Sequence, residues 1–143
     1  MTASSVSLED QLAIENLSAR YNQAIDAGDI ETWVDCFTPD GVFETQPGGS
    51  WSKERGFTKL RVQGSSRLLE FGRTVASGPT VRHWSTNRVV IADGEIVRGV
   101  SYMTVFVLDG PRADELVTGM MHEELVHTAD GWRFRSRRLV LDR

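Results

Sequence analysis

Sulfur chemistry is almost absent from this chain, which has a single cysteine, Cys36, in 143 residues. One cysteine forms no disulfide within the chain and builds no thiolate metal cluster. In the apolar stretch where it sits, it reads as a small buried hydrophobe. Long apolar runs are missing too. None approaches the roughly 20 residues that cross a bilayer as a helix, so no membrane partner is expected. The opening stretch, Met1 to Asp10, lacks a basic segment followed by an apolar one, so no secretory leader is expected there and a cytoplasmic location is the default. Neither sign of charge dominates. A formal net charge of −4 gives no pull toward phosphate backbones, and no nucleic-acid partner is expected. There is no repeat, linker or low-complexity tract, so residues 1–143 read as one domain, long enough to bury its own core.

What is present falls into two halves. Leu12, Ile14, Leu17, Tyr21 and Ile25 recur at helical spacing, and Gly28 offers the left-handed residue that ends a helix. Asp29 is a good N-cap for a second helix, in which Ile30, Trp33, Val34 and Phe37 share a face until Pro39-Asp40-Gly41 stops it. Val42 to Thr45 reads as a short strand, and Trp51 as part of another. Phe57, Leu60, Leu68 and Phe71 suggest a third helix, weakened by Gly64. After Gly78-Pro79 come long β-like segments, Val81 to Ile91, Ile96 to Leu108, Glu115 to His127 and Trp132 to Leu141. They are separated by Asp93-Gly94, Asp109-Gly110-Pro111 and Asp130-Gly131. Helices first and antiparallel hairpins later predict an α+β fold, with three helices on the concave face of a curved, mostly antiparallel sheet. Strict alternation in the last strand puts Trp132, Phe134 and Ser136 on one face. Arg133, Arg135 and Arg137 then form a solvated or dimer-facing surface on the other.

Five residues could carry chemistry. Asp26 falls in the last turn of the first helix, where a carboxylate meets the negative end of the dipole, a conflict that proteins mostly tolerate at functional positions. It could equally be a solvated turn aspartate. His83 opens a strand on which Ser85 and Asn87 share its face and Val89 and Ile91 continue it, as a pocket wall with one reactive end would read. A satisfied structural histidine is the plain alternative. Tyr21 and Tyr102 each bring a phenol that could polarise a ligand carbonyl or serve as a core residue with one hydrogen bond. His122 could enter a pocket alone. With His127 it cannot chelate zinc, because the two are five apart where a helix needs four and a strand would point them to opposite faces. The glycines fit no P-loop or dinucleotide fingerprint, and no serine sits in a nucleophile elbow. Neither metal nor cofactor is expected.

The chemistry these residues would support is acid–base. A histidine has the intrinsic range of a base near neutral pH, a carboxylate on its other nitrogen fixes the tautomer, and a phenol such as Tyr21 would donate to a developing enolate oxygen. Dehydration and isomerisation both follow from such a set. A binding or dimerisation module without turnover is the competing reading.

The stretches Ile14-Glu15-Asn16-Leu17-Ser18-Ala19-Arg20-Tyr21, Asp26-Ala27-Gly28-Asp29, Arg82-His83-Trp84-Ser85-Thr86-Asn87 and Asp130-Gly131-Trp132-Arg133-Phe134, with Trp33, Phe37, Asp40-Gly41 and Phe43, resemble the SnoaL-like family of the nuclear-transport-factor-2-like superfamily. The resemblance implies a cone-shaped α+β barrel around one apolar pocket for a hydrophobic small molecule. It also points to a homodimer through the convex sheet face, a state that the apolar and mixed residues on both faces of the long strands suggest as well. Within the superfamily the chemical resemblance is to scytalone dehydratase and bile-acid 7α-dehydratases. It implies catalytic roles for Asp26 and His83, with Tyr21 at the matching spacing from Asp26. The second catalytic histidine of scytalone dehydratase has no match, since Val105, Phe106 and Val107 occupy that region.

Overall fold

The computed structural model describes residues 5–143, so the first four residues of the Met1–Asp10 stretch lie outside it. Helix α1 (Leu8–Ala27) starts where Ser7 Oγ accepts the Asp10 amide at 3.1 Å and stops at Gly28, whose φ of +74° lets its N–H close back on the last turn. Asp29 then caps α2 (Ile30–Asp35), accepting the Thr32 amide. This helix is shorter than its apolar stripe suggests. Phe37 opens strand β1 (Phe37–Gln46) instead, because the Phe134 amide donates to the Cys36 carbonyl at 2.9 Å and draws the chain into the sheet. Pro39 is accommodated by a register shift between Phe37 and Val42.

Two further expectations are corrected. Trp51 lies in a short helix, α3 (Ser50–Glu54), because the buried Ser52 hydroxyl bonds back to the Gly49 backbone and closes a turn. The helix expected from Phe57 onward begins only at Ser65. Leu60–Gln63 is instead strand β2, paired antiparallel to β1, and Gly64, at φ +89°, breaks the chain before α4 (Ser65–Ala76). Four helices are thus present among the described residues where three were expected. The long strands follow the sequence closely: β3 (Val81–Asp93), β4 (Ile96–Asp109), β5 (Arg112–Thr128) and β6 (Gly131–Leu141). The sheet order is β2-β1-β6-β5-β4-β3, antiparallel except for β1 beside β6. The fold is α+β, with the core between the helices and one face of the sheet. At its centre Trp33, Tyr21, Phe37 and Phe134 pack edge to face or tilted, with ring centroids 5.3–6.2 Å apart.

Simple alternation fails at two β-bulges, and both failures matter. On β3, Thr86 faces Tyr102 but Val89 faces Val100, so one extra residue is inserted, with Asn87 at φ +56°. Everything beyond it changes face: Val89 and Ile91 are 63% and 49% exposed on the outer face, while Arg88 and Val90 turn inward. On β6, Phe134 faces Leu125 but Ser136 faces Glu124. Arg137 is thereby turned into the core and fully buried, not placed on a solvated arginine face. Both inward arginines meet Glu123 of β5. Arg88 binds it through Nε at 3.1 Å and Nη2 at 3.0 Å, and Arg137 through Nη2 at 2.6 Å. Gly99 makes room opposite, since a Cβ there would stand 2.9 Å from Glu123 Oε2. The Arg137 guanidinium also lies 4.1 Å from the Tyr21 ring centre and 4.4 Å from that of Phe134.

Two predictions follow from the bulges and the buried carboxylate. Asn87→Val should lose about 1–2 kcal/mol in denaturant melts, as a branched residue in the left-handed region must, while Asn87→Gly should be close to neutral. Equal stability of the two variants would contradict the bulge. Burial by itself pushes the Glu123 carboxyl up, but Arg137 and Arg88 overcome it and hold the group below its ordinary value. The stabilisation is therefore present above the ordinary carboxylate range and lost as pH falls through the depressed value. Glu123→Gln should cost about 3–5 kcal/mol at neutral pH, with a weaker further loss in acid than the parent protein shows.

Candidate functional site

The site grows from a match of two periodicities. Four residues of helix rise about 6 Å, close to the roughly 6.6 Å that separates alternate residues of a strand. Ser18, Asn22 and Asp26 on α1, each four apart, therefore face successive inward positions of β3. Asp26 meets His83, Asn22 Nδ2 donates to Ser85 Oγ at 3.0 Å, and Ser18 Oγ accepts from Arg88 Nη2 at 2.7 Å. The third rung exists only because the Asn87 bulge turns Arg88 inward.

Asp26 uses both carboxylate oxygens on one residue. Oδ2 accepts the His83 backbone N–H at 3.0 Å, and Oδ1 stands 2.5 Å from His83 Nδ1. The two side chains are only 9% and 19% exposed. Placing a carboxylate at the end of α1 costs about 0.3–1 kcal/mol against the dipole. Each hydrogen bond to a charged group contributes about 1.5–3 kcal/mol, so the two bonds outweigh that cost. A carboxylate only accepts, so the ring proton belongs on Nδ1 and Nε2 is the nitrogen left for a ligand. The pair lies in a groove of about 630 Å3 between α1 and β3, the edge strand of the sheet. Asn22, Gln23, Arg82 and Ser85 give the groove polar walls, and Ala19, Ala27 and Trp84 give it apolar ones. The expectation of a largely apolar pocket is corrected accordingly, because the apolar interior of the fold is occupied by the aromatic core.

The other sequence candidates lie elsewhere. Tyr21 belongs to that core, under the Arg137 guanidinium, and does not line the groove. Burial pushes its phenol up, against the opposing pull of Arg137. The expectation that Tyr21 shares a pocket with Asp26 and His83 is thus corrected: it sits on the α1 face turned to the core, and the pair sits on the face turned to β3. Tyr102 is 53% exposed on the outer face of the sheet, opposite Thr86 and Met120. His122 is on the outer face as well. It lines a separate depression of about 420 Å3 with Glu44, Arg61, Arg98 and Arg138, and partial burial, then Arg138, pulls its pKa down. Sequence reasoning passed over Asn22 and Arg88. The polar Ser18, Asn22 and Asp26 at helical spacing on one stripe was the signal for the first; the second was hidden by the bulge. Among the described residues no three His, Cys, Asp or Glu side chains are grouped to hold a metal, and no helix is long and apolar enough to cross a membrane.

Comparison with known proteins agrees with this architecture. The small subunit of anthranilate 1,2-dioxygenase from Burkholderia cepacia is 24% identical over 135 residues, covering 88% of this chain and 83% of that protein. A variant of Rv3472, a protein of unknown function from Mycobacterium tuberculosis, superposes with a TM-score of 0.82 at 29% identity, over 96% of this chain and 79% of the other. An NTF2-like protein with a cystatin-like fold from Novosphingobium aromaticivorans shares the fold, with a TM-score of 0.75 at 22% identity over 94% and 82% of the two chains. Residues 6–138 match the SnoaL-like domain, and the chain belongs to that family.

Proposed function

We propose that this chain is a cofactor-independent acid–base catalyst, a dehydratase or isomerase acting on a hydrophobic small molecule of polyketide, steroid or aromatic type. The observation that carries the reading is the 2.5 Å contact between Asp26 and His83 Nδ1 in the wall of a groove. In this reading His83 Nε2 takes a proton from the carbon next to a substrate carbonyl, and the electron pair of that C–H bond forms the enolate. The Asp26 carboxylate compensates the charge gained by the ring. Asn22 and Ser85, the next rung of the seam, are the polar groups beside the pair that can bond to substrate oxygens. Collapse of the enolate with loss of a β-hydroxyl, which leaves as water with the proton from His83, is dehydration. Return of that proton to a different carbon is isomerisation. The substrate's apolar body would lie along Ala19 and Ala27.

A panel of hydrophobic β-hydroxy carbonyl compounds, assayed for loss of water and for deuterium uptake at carbon in D2O, tests this. Turnover of one member should fall about a hundred- to ten-thousand-fold in His83→Ala and strongly in Asp26→Asn, with ligand affinity little changed. Turnover that survives both substitutions would sink the reading. A panel on which no compound reacts would favour the binding module.

A second reading concerns assembly. Trp84, Val89, Ile91 and Tyr102 are each about half exposed or more and lie on the outer face of neighbouring strands β3 and β4. Apolar surface gathered in this way marks an interaction site, and one relative is by name a small subunit. We infer a homodimer through this face. Light scattering at micromolar concentration should give twice the chain mass, and Tyr102→Glu should return it to the monomer. A monomeric parent protein would contradict the assignment.

A further inference from the structure

We propose that Arg88 is the positioning residue of the Asp26–His83 pair, acting through the seam between α1 and β3. The inference deepens the reading above, since it treats that pair as the functional one, but it rests on contacts that do not depend on turnover. His83 is held from α1 by one residue, Asp26, so its ring orientation depends on where α1 stands relative to β3. Asn22–Ser85 adds a single neutral bond. The charged restraint across this seam is Arg88, whose guanidinium joins three elements. Its Nη1 donates to Glu15 Oε2 at 2.8 Å and its Nη2 to Ser18 Oγ at 2.7 Å, both on α1. Its Nε and Nη2 bind both oxygens of Glu123 on β5.

The anchoring end of this strut is rigid. Arg88 is 5% exposed and Glu123 fully buried, and Arg137 fixes the carboxylate from the far side. A bidentate arginine–carboxylate pair specifies direction as well as distance. Lysine, with one nitrogen, cannot reproduce it while also reaching Ser18 and Glu15. The Asn87 bulge belongs to the same device, because without the extra residue Arg88 would point to the outer face and α1 would lose its tie to β5. Arg88 does not line the groove, so it acts through the seam and not on a ligand.

The imidazole signals of the three histidines, His83, His122 and His127, in a long-range proton–nitrogen NMR spectrum test the assignment. The parent protein should show His83 as the Nδ1–H tautomer. Arg88→Met should lose that signature to a tautomer mixture while the backbone spectrum remains folded, and Arg88→Lys should retain part of it. Ser18→Ala, which removes one seam contact without disturbing the buried ions, should weaken the signature too. It also decides the matter where Arg88→Met does not fold. Val62→Ala, a buried core truncation on β2 at the opposite edge of the sheet from β3, controls for loss of stability and should leave His83 unchanged. A parent-like His83 signature in folded Arg88→Met and in Ser18→Ala would overturn the proposal, as would an equal loss in Val62→Ala. Failure of the catalytic reading would show in the turnover assays and leave these spectra unaltered.

Discussion

One buried carboxylate organises this molecule. Glu123, on a strand in the middle of the sheet, has no exposed side-chain surface and is met by two arginines from different strands. An isolated carboxylate in such a place would be intolerable, and so would either arginine alone. The sheet brings all three together by inserting one residue into β3 and one into β6, so that Arg88 and Arg137 both reach the inner face. Gly99 leaves the volume, and the Tyr21 and Phe134 rings accept the remaining face of Arg137. A hydrophobic trio could fill the same space. The charged set adds direction: Arg88 must reach out of it to Ser18 and Glu15, and that ties the longest helix to the edge strand.

Function, in this account, is a by-product of that tie made useful. Once α1 is fixed against β3, residues four apart on the helix fall opposite alternate residues of the strand, and the last of them, Asp26, both caps the His83 amide and holds its ring. The amide of an edge strand would otherwise face water or a second chain. The same carboxylate thus closes a sheet edge and leaves one imidazole nitrogen for the groove. The two roles reinforce each other, since the backbone bond fixes the acceptor that the ring needs.

Much of this was legible in the sequence, and the parts that were not share a cause. Gly28 and Asp29 announced the α1–α2 junction, the Asp-Gly pairs announced the hairpins, and the helix-then-hairpin order announced the α+β class. The closeness of Asp26 to His83 was legible through the family resemblance, which implies catalytic roles for both; from the residues alone each also read as a plain structural group. Period-two reasoning assigned Val89, Ile91 and Arg137 to the wrong faces because a bulge is a single extra residue with no composition of its own. Asn87 is tolerated in the left-handed region but does not announce it. The ligand role of Tyr21 followed from its family-matching spacing to Asp26, whereas its place on the apolar stripe of α1 reads as core, where the structure has it. The strand at Leu60–Gln63 depends on its pairing with the distant β1, whereas the short helix at Trp51 is closed by a local turn between Ser52 and Gly49 that its apolar pattern does not announce.

The claim on which the functional account stands is that Asp26 holds the His83 proton on Nδ1 and leaves Nε2 open to the groove. Neutron diffraction from a deuterium-exchanged crystal locates that proton directly. The account predicts a deuteron on Nδ1, directed at Asp26 Oδ1, with no protein donor or acceptor on Nε2. A deuteron on Nε2 with Nδ1 bare, or a ring turned away from Asp26, would contradict it.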